Sequence, residues 1–173
     1  MSLNEIFAAE VDSGKTSVYS LEIDGKKIGK FVSSGIIVST GSGSTAWLQS
    51  ARRISYSNIQ GLLENIGAYS SGDDYFQDKL EETIAGYIWK HYYFPPDHDQ
   101  MYYFNRDLYS ENNRVDLSTA QYGGGYCRQL KVQSEIENGQ VYLDGFSQHK
   151  LNIGDVFTLE CRPEHQLRCI RFL

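Results

Sequence analysis

The sequence predicts a mainly β fold, an antiparallel β-sandwich that carries a helical insertion. Three observations predict it. Asp24-Gly25, Asn138-Gly139 and Asp144-Gly145 are two-residue hairpin signals, because a type I′ turn needs positive φ at both central positions. The stretches beside them alternate apolar and polar residues, as Val18, Leu21 and Ile23 do against Ser17, Ser20 and Glu22, which is the period of a half-buried strand. Many short strands at this spacing are the pattern of two antiparallel sheets packed together. At 173 residues, with 22% charged and 40% hydrophobic residues, the chain is long enough for one domain with a real core.

The elements follow in order. Leu3 to Ala8 reads as a strand with Asn4 and Glu5 near its start. Asn4 offers a donor and an acceptor, and Glu5 only acceptors, which suits a ring edge or a ribose diol. Ser17 to Ile23 and Lys26 to Val32 form the first hairpin, with Ile28 and Phe31 or Val32 inward. Ser34-Gly35 turns the chain into Ile36-Ile37-Val38, a β-branched run that reads as a buried strand. Residues 61–113 are read as an ordered insertion. Phe76, Leu80, Ile84, Tyr87, Ile88 and His91 recur there at helical spacing, Asp73 or Asp74 can cap that helix, and Pro95-Pro96 ends it. Met101 to Phe104 is expected as a strand and Gly123-Gly-Gly-Tyr as a loop. Arg128 to Ser134 and Gln140 to Leu143 are expected to pair around Asn138-Gly139, and Val156 to Cys161 and Leu167 to Phe172 to close the chain as strands.

The best ligand site by residue type is Ser33 to Trp47. After the apolar run comes Ser39 to Ser44, small, polar and glycine-rich, so that its backbone can approach a ligand closely. Ser44 or Thr45 can cap a helix beginning at Ala46, where free N–H groups and the helix dipole would converge. It is not a P-loop, since no Lys precedes the Ser/Thr. Gly41, Gly43 and Ala46 fit G-x-G-x-x-A, but the second strand and acidic residue of a dinucleotide fold are missing, because the chain around Glu64 reads as helix.

Charge and composition exclude other classes. The net charge of −6 opposes a nucleic-acid surface. Residues 61–113 hold ten acids, three bases and twelve of the 23 aromatics, a composition that points to core or to an interface between copies rather than to base stacking. No run reaches the length of a membrane helix, and the first residues lack the basic and apolar parts of a signal peptide. Three cysteines, Cys127, Cys161 and Cys169, do not suggest a disulfide framework. His91, His98, His149 and His165 lack metal-ligand spacing, Asp97-His98-Asp99 reads as a solvated turn, and Cys161-x-x-x-His165-x-x-x-Cys169 is not a zinc pattern. No nucleophile elbow or triad is present.

Leu3-Asn4-Glu5-Ile6 resembles the Asn-Glu/Asp strand motif of the NAD kinase C-terminal domain. Ile36 to Trp47 is similar to that family's Val-Ser-Thr-Pro-Thr-Gly-Ser-Thr-Ala-Tyr segment, and Val141-Tyr-Leu-Asp144-Gly145 and Leu151-Asn-Ile-Gly154-Asp155 resemble its two late motifs in the same order. The family's Pro is Gly41 here, its Tyr is Trp47, its Asp before the Gly is Ser34, and its following Gly-Gly-Pro is Ala51-Arg52-Arg53. This pattern looks more like the mitochondrial branch than the bacterial one.

The resemblance implies an enzyme that moves the γ-phosphoryl group of ATP, with Mg²⁺, to the adenosine 2′-hydroxyl of NAD, giving NADP. It implies that Asn4, Glu5, Ser42, Thr45, Ala46 and Trp47 contact the dinucleotide, that copies of the chain associate, and that the protein resides in the mitochondrial matrix. The family's catalytic Gly-Gly-Asp-Gly motif precedes the Asn-Glu motif and has no counterpart here. The expectation is therefore no catalytic residue or metal ligand in this chain, and a missing upstream domain for turnover. Two other readings compete: a dinucleotide-sensing or oligomerisation module without catalysis, and a lipid kinase of the same general fold, which the Asn4-Glu5 and Gly41-to-Trp47 motifs disfavour.

Overall fold

The computed structural model describes residues 2–53, 55–65, 79–80, 82–87, 90, 93–109 and 123–165. Among these residues ten strands form two antiparallel sheets. The larger has the order β6-β5-β4-β1-β8-β9 and the smaller β10-β7-β2-β3. The strands are β1 Glu5–Glu10, β2 Ser17–Ile23, β3 Lys26–Ser33, β4 Ile36–Ser39, β5 Met101–Asn105, β6 Gly124–Cys127, β7 Gln129–Ser134, β8 Gly139–Leu143, β9 Ser147–Leu151 and β10 Val156–Glu160. The helices among them include α1 Trp47–Ala51 and α2 Tyr56–Asn65, the latter in the region read as helical around Glu64. Residues 79–80, 82–87 and 90 are also helical. Asp73, Asp74, Phe76, Ile88, His91, Cys169 and the expected strand Leu167 to Phe172 lie outside the described residues.

One core joins the sheets. Ala8, Ile36, Val38, Met101 and Tyr103 of the larger sheet pack with Tyr19, Leu21, Leu130 and Val132 of the smaller. The period of two then fixes the opposite face. Ile37 points away from that core, into a second cluster with Leu48 of α1 and Phe94. Both faces of β4 are covered, which is why it reads as an unbroken β-branched run. Cys127 is wholly buried, and burial pushes its thiol up to about 12, so it behaves as a core residue.

The Asp-Gly turns form as expected. Asp24 and Gly25 have φ of 48° and 80°, and Asp144 and Gly145 have 49° and 71°; they join β2 to β3 and β8 to β9. Asn138-Gly139 does not. β7 pairs with β2 and β10, and β8 with β1 and β9, so the chain at Asn138 crosses between sheets. The Asn138 carbonyl accepts the Val11 N–H at 2.9 Å instead. Gly123-Gly-Gly-Tyr is also not a loop. Gly124 to Tyr126 are in edge strand β6, where a Cβ on Gly124 would sit 2.6 Å from the Tyr103 carbonyl oxygen. Met101–Asn105, inside the stretch expected as an insertion, is an interior strand of the larger sheet.

A buried polar knot ties the sheets together behind the site. The Tyr19 hydroxyl is 2.6 Å from Ser33 Oγ and donates to Asn105 Oδ1 at 2.8 Å, and all three residues are buried. Replacing Tyr19 with Phe removes one hydrogen bond from each of Ser33 and Asn105, while Ser33 keeps its bonds to Gly35, so urea unfolding of Tyr19→Phe is expected to show a loss of about 0.5–1.5 kcal/mol.

Candidate functional site

The site is built on the first residues of β1. Asp144, in the turn after β8, turns its carboxylate onto that segment. Oδ1 accepts Ser2 Oγ at 2.7 Å, Asn4 N–H at 2.8 Å and Glu5 N–H at 3.0 Å, and Oδ2 accepts Leu3 N–H at 2.7 Å. The Asp144 N–H returns to the Glu5 carbonyl at 2.9 Å. Burial opposes ionisation of Asp144, but the hydrogen bonds from Leu3, Ser2, Asn4 and Glu5 outweigh it and hold its pKa below the ordinary value.

The Asn4 carbonyl in turn carries the small-residue loop. It accepts the Thr40 N–H at 2.9 Å, Ser39 Oγ at 3.3 Å and Thr40 Oγ1 at 3.2 Å. Gly43 presses against the same group: a Cβ there would lie 2.3 Å from the Asn4 oxygen. On the other side a Cβ on Gly41 would lie 1.9 Å from the Pro95 oxygen. These glycines let backbone pack on backbone, and close approach to a ligand is not what requires them.

The helix-cap expectation is corrected as well. Helix α1 starts at Trp47, its N-cap is Ala46, and no side chain caps it. Ser44 Oγ donates instead to the Phe94 carbonyl at 3.1 Å. The N–H groups of Gly43, Ser44 and Ala46 close turns onto Thr40, Gly41 and Gly43. Those three N–H groups are therefore taken within the loop, and a five-residue helix has little dipole to add.

Two cavities flank β1. One, about 660 Å³, lies on the outer face of the larger sheet and is lined by Glu5, Phe7, Ser34, Trp47, Arg106, Tyr142 and Asp144 among others. The other, about 560 Å³, opens between the sheets over Ile6, Val38, Met101, Leu143 and Leu159, with Thr40 and Ser42 at its rim. Of the six residues implied by the resemblance, Glu5 and Trp47 meet in the outer cavity and Ser42 lines the inner one. Asn4, Thr45 and Ala46 line neither, and Asn4 acts through its backbone.

The outer cavity holds the more distinctive chemistry. Phe7 and Trp47 rings are 4.7 Å apart, tilted by 57°, and Phe7 and Tyr142 are 6.3 Å apart and stacked. The Glu5 carboxylate has an oxygen, Oε2, that is buried with no hydrogen-bond partner among the described residues. Burial and then the neighbouring Asp144 charge raise its pKa. Phe7, Tyr142 and Arg106 were not selected from the sequence. Strand alternation places Phe7 beside Glu5 on one face, but the partners across the sheet follow only from register. His98 is structural: it packs edge-on against Phe94 at 5.4 Å, and its Nδ1 accepts the Gln100 N–H at 3.2 Å.

Fold and site together define a two-sheet antiparallel domain with an aromatic, carboxylate-bearing small-ligand cavity. No family model matches the chain. The mitochondrial NAD kinase 2 of Rattus norvegicus is 23% identical over 169 residues, which is 98% of this chain and 39% of that protein. The crystal structure of yeast NADH kinase complexed with NADH matches 91% of this chain and 34% of its own, at a TM-score of 0.55 and 15% identity. An NAD kinase from Archaeoglobus fulgidus in complex with ATP matches 92% and 45%, at 0.54 and 15%. These matches bear out the resemblance to the NAD kinase C-terminal domain along nearly the whole chain, and the chain spans about two fifths of the curated relative's length.

Two outcomes follow for stability. Gly43→Ala is expected to lower stability by about 1–3 kcal/mol, because the methyl group overpacks against Asn4; a thermal melt equal to wild type would contradict the packing role. Asp144 has a depressed folded pKa, so its stabilisation is complete above its unfolded pKa of about 3.9 and is lost as pH falls through the folded value. Denaturant titrations at decreasing acid pH should show wild type losing stability in that window. Asp144→Asn should be less stable at pH 7 and flatter through it.

Proposed function

We propose that this chain is the dinucleotide-binding domain of an NAD kinase, the enzyme that phosphorylates the adenosine 2′-hydroxyl of NAD. The observation that carries the reading is Glu5, whose carboxylate stands in the outer cavity with a buried, unpartnered oxygen beside Phe7 and Trp47. A carboxylate only accepts hydrogen bonds. Its missing partner is a donor next to an aromatic ring, as a ribose hydroxyl next to a base would be. The similarity to NAD kinases over 98% of the chain supports the same ligand.

In this reading Glu5 orients the sugar and Trp47 and Phe7 take the base face, which holds the acceptor hydroxyl in one place. Transfer also needs a group to receive the hydroxyl proton and a cradle for the donor phosphates. On this reading the donor ATP and Mg²⁺ belong to the part of the enzyme that this chain does not span, since the chain covers 39% of the mitochondrial relative. The NADH- and ATP-bound neighbours support NAD and ATP as ligands of the complete enzyme, and the mitochondrial relative supports a mitochondrial location. Exposed Phe146, Tyr109 and Tyr87 support self-association, since interfaces are enriched in aromatic residues.

Calorimetry with NAD tests the reading. Glu5→Gln is expected to weaken binding about tenfold while the melting temperature holds or rises, because the raised pKa means that ionised Glu5 opposes folding above the ordinary carboxylate range. Supplied with NAD, ATP and Mg²⁺, the purified chain should make no NADP, and a longer protein that includes the Gly-Gly-Asp-Gly motif should. Unaltered NAD affinity in Glu5→Gln, or turnover by the short chain, would refute the assignment.

A further inference from the structure

We infer that Arg106 is the phosphate-recognising residue of the outer cavity, so that the site prefers a nucleoside 5′-phosphate to the bare nucleoside. This rests on the proposed dinucleotide reading and adds to it a specificity-determining residue that lies outside the sequence motifs.

Arg106 follows the last residue of β5, and the backbone fixes it there. Its N–H donates to the Gly35 carbonyl at 2.9 Å, and the Ser34 N–H donates to the Arg106 carbonyl at 2.9 Å. Just before it, buried Asn105 is held by the Tyr19 hydroxyl. Gly35 brings this corner tight against β1: a Cβ there would lie 2.7 Å from both Ala9 Cβ and a Phe7 ring carbon. The guanidinium carbon sits 5.6 Å from the Phe7 ring centroid and 5.7 Å from that of Trp47. Both are within cation–π range, which orients a planar fork at the edge of an aromatic corner.

The charge at that corner is available. Among the described residues the one carboxylate paired with Arg106 is its neighbour Asp107, at 3.9 Å and 72% exposed, and such a pair is worth little in water. The charge is also needed. Glu5, Glu10, Asp107 and Asp144 line the same cavity against only Arg106 and Lys15. Lys15 already faces Glu137 at 3.9 Å. The lining stays net acidic even with Arg106, so an anion's attraction rests on the local positive charge that this guanidinium supplies.

The cavity is thus polarised along β1. Glu5 and Asp144 stand at its start, and Ala9 abuts the Gly35–Arg106 corner, with Phe7 between them. A ribose carries its base, its hydroxyls and its 5′-phosphate on three sides. The Glu5 carboxylate takes hydroxyl donors, the Phe7 and Trp47 rings take the base, and the Arg106 fork suits two phosphate oxygens.

The test titrates the 173-residue chain with adenosine, AMP and NAD by calorimetry. Wild type is expected to bind AMP about ten- to a hundredfold tighter than adenosine, the range of one charge-assisted hydrogen-bonding group. In Arg106→Gln that preference should collapse toward unity with adenosine affinity unchanged. Arg106→Lys keeps the charge but loses the fork, and should retain only part of the preference; it decides the matter should Arg106→Gln fail to fold by circular dichroism. Lys27→Gln, on β3 of the other sheet, removes an equal charge and should change nothing. A full AMP preference in the folded Arg106 variants overturns the role of Arg106 and leaves the dinucleotide reading standing. Wild type that binds none of the three ligands overturns both.

Discussion

The position of β1 depends on the Asp144 carboxylate, and both cavities depend on the position of β1. Four groups from Ser2 to Glu5 converge on it. Asp144 sits at φ 49°, a left-handed conformation that Asp tolerates better than most residues. The same residue therefore makes the turn between β8 and β9 and clamps the strand next to it. Desolvating that carboxylate is unfavourable, and the hydrogen bonds it collects more than offset it. Once Asn4 is fixed, its carbonyl fixes Thr40 and Ser39, and the glycine-rich loop is laid down on a surface that already exists.

Because β1 is an interior strand, its alternation sorts chemistry into two compartments. Ile6 and Ala8 face the smaller sheet, while Glu5, Phe7 and Ala9 face the outer cavity. The loop residues divide in the same way, with Ser42 toward the inner cavity and Trp47 toward the outer one. A motif that is contiguous in sequence is thus not contiguous in space. Phe7 bridges the division, since it meets Trp47 from α1 on one side and Tyr142 from β8 on the other.

What the sequence made legible was local. The two Asp-Gly turns, the β-branched run of β4 and the two-sheet class all rest on backbone preference and short-range periodicity. What it hid was pairing. Asn138-Gly139 carries the same hairpin signal as the other turns, yet the apolar faces of β7 and β8 belong to different sheets and pull the strands apart there. Gly41 and Gly43 announce close approach truthfully, but nothing local says whether the approaching group is a ligand or the backbone of Asn4 and Pro95. Ser44 has the chemistry of a cap, and it is captured by the Phe94 carbonyl, a partner fifty residues away. Arg106 was invisible for the same reason. It stands in a stretch with no motif, and its place beside Phe7 follows from β5 pairing with β4 and β4 with β1.

These corrections change the kind of recognition the domain can perform. A phosphate loop at a helix N-terminus binds with backbone N–H groups, and here those of Gly43, Ser44 and Ala46 are already committed to the turns of the loop. The outer cavity offers side chains instead: an acceptor-only carboxylate, two rings in contact and a planar cation. Such groups are precise only when the backbone beneath them is rigid, and rigidity is what the packed glycines, the Asn4 carbonyl and the Asp144 clamp provide. The buried oxygen of Glu5 completes the argument. Leaving it unpartnered next to another carboxylate opposes folding, so the fold gains nothing by keeping it. On the proposed reading, a group that is unfavourable for stability and fixed in place by its neighbours is kept for the ligand it will meet.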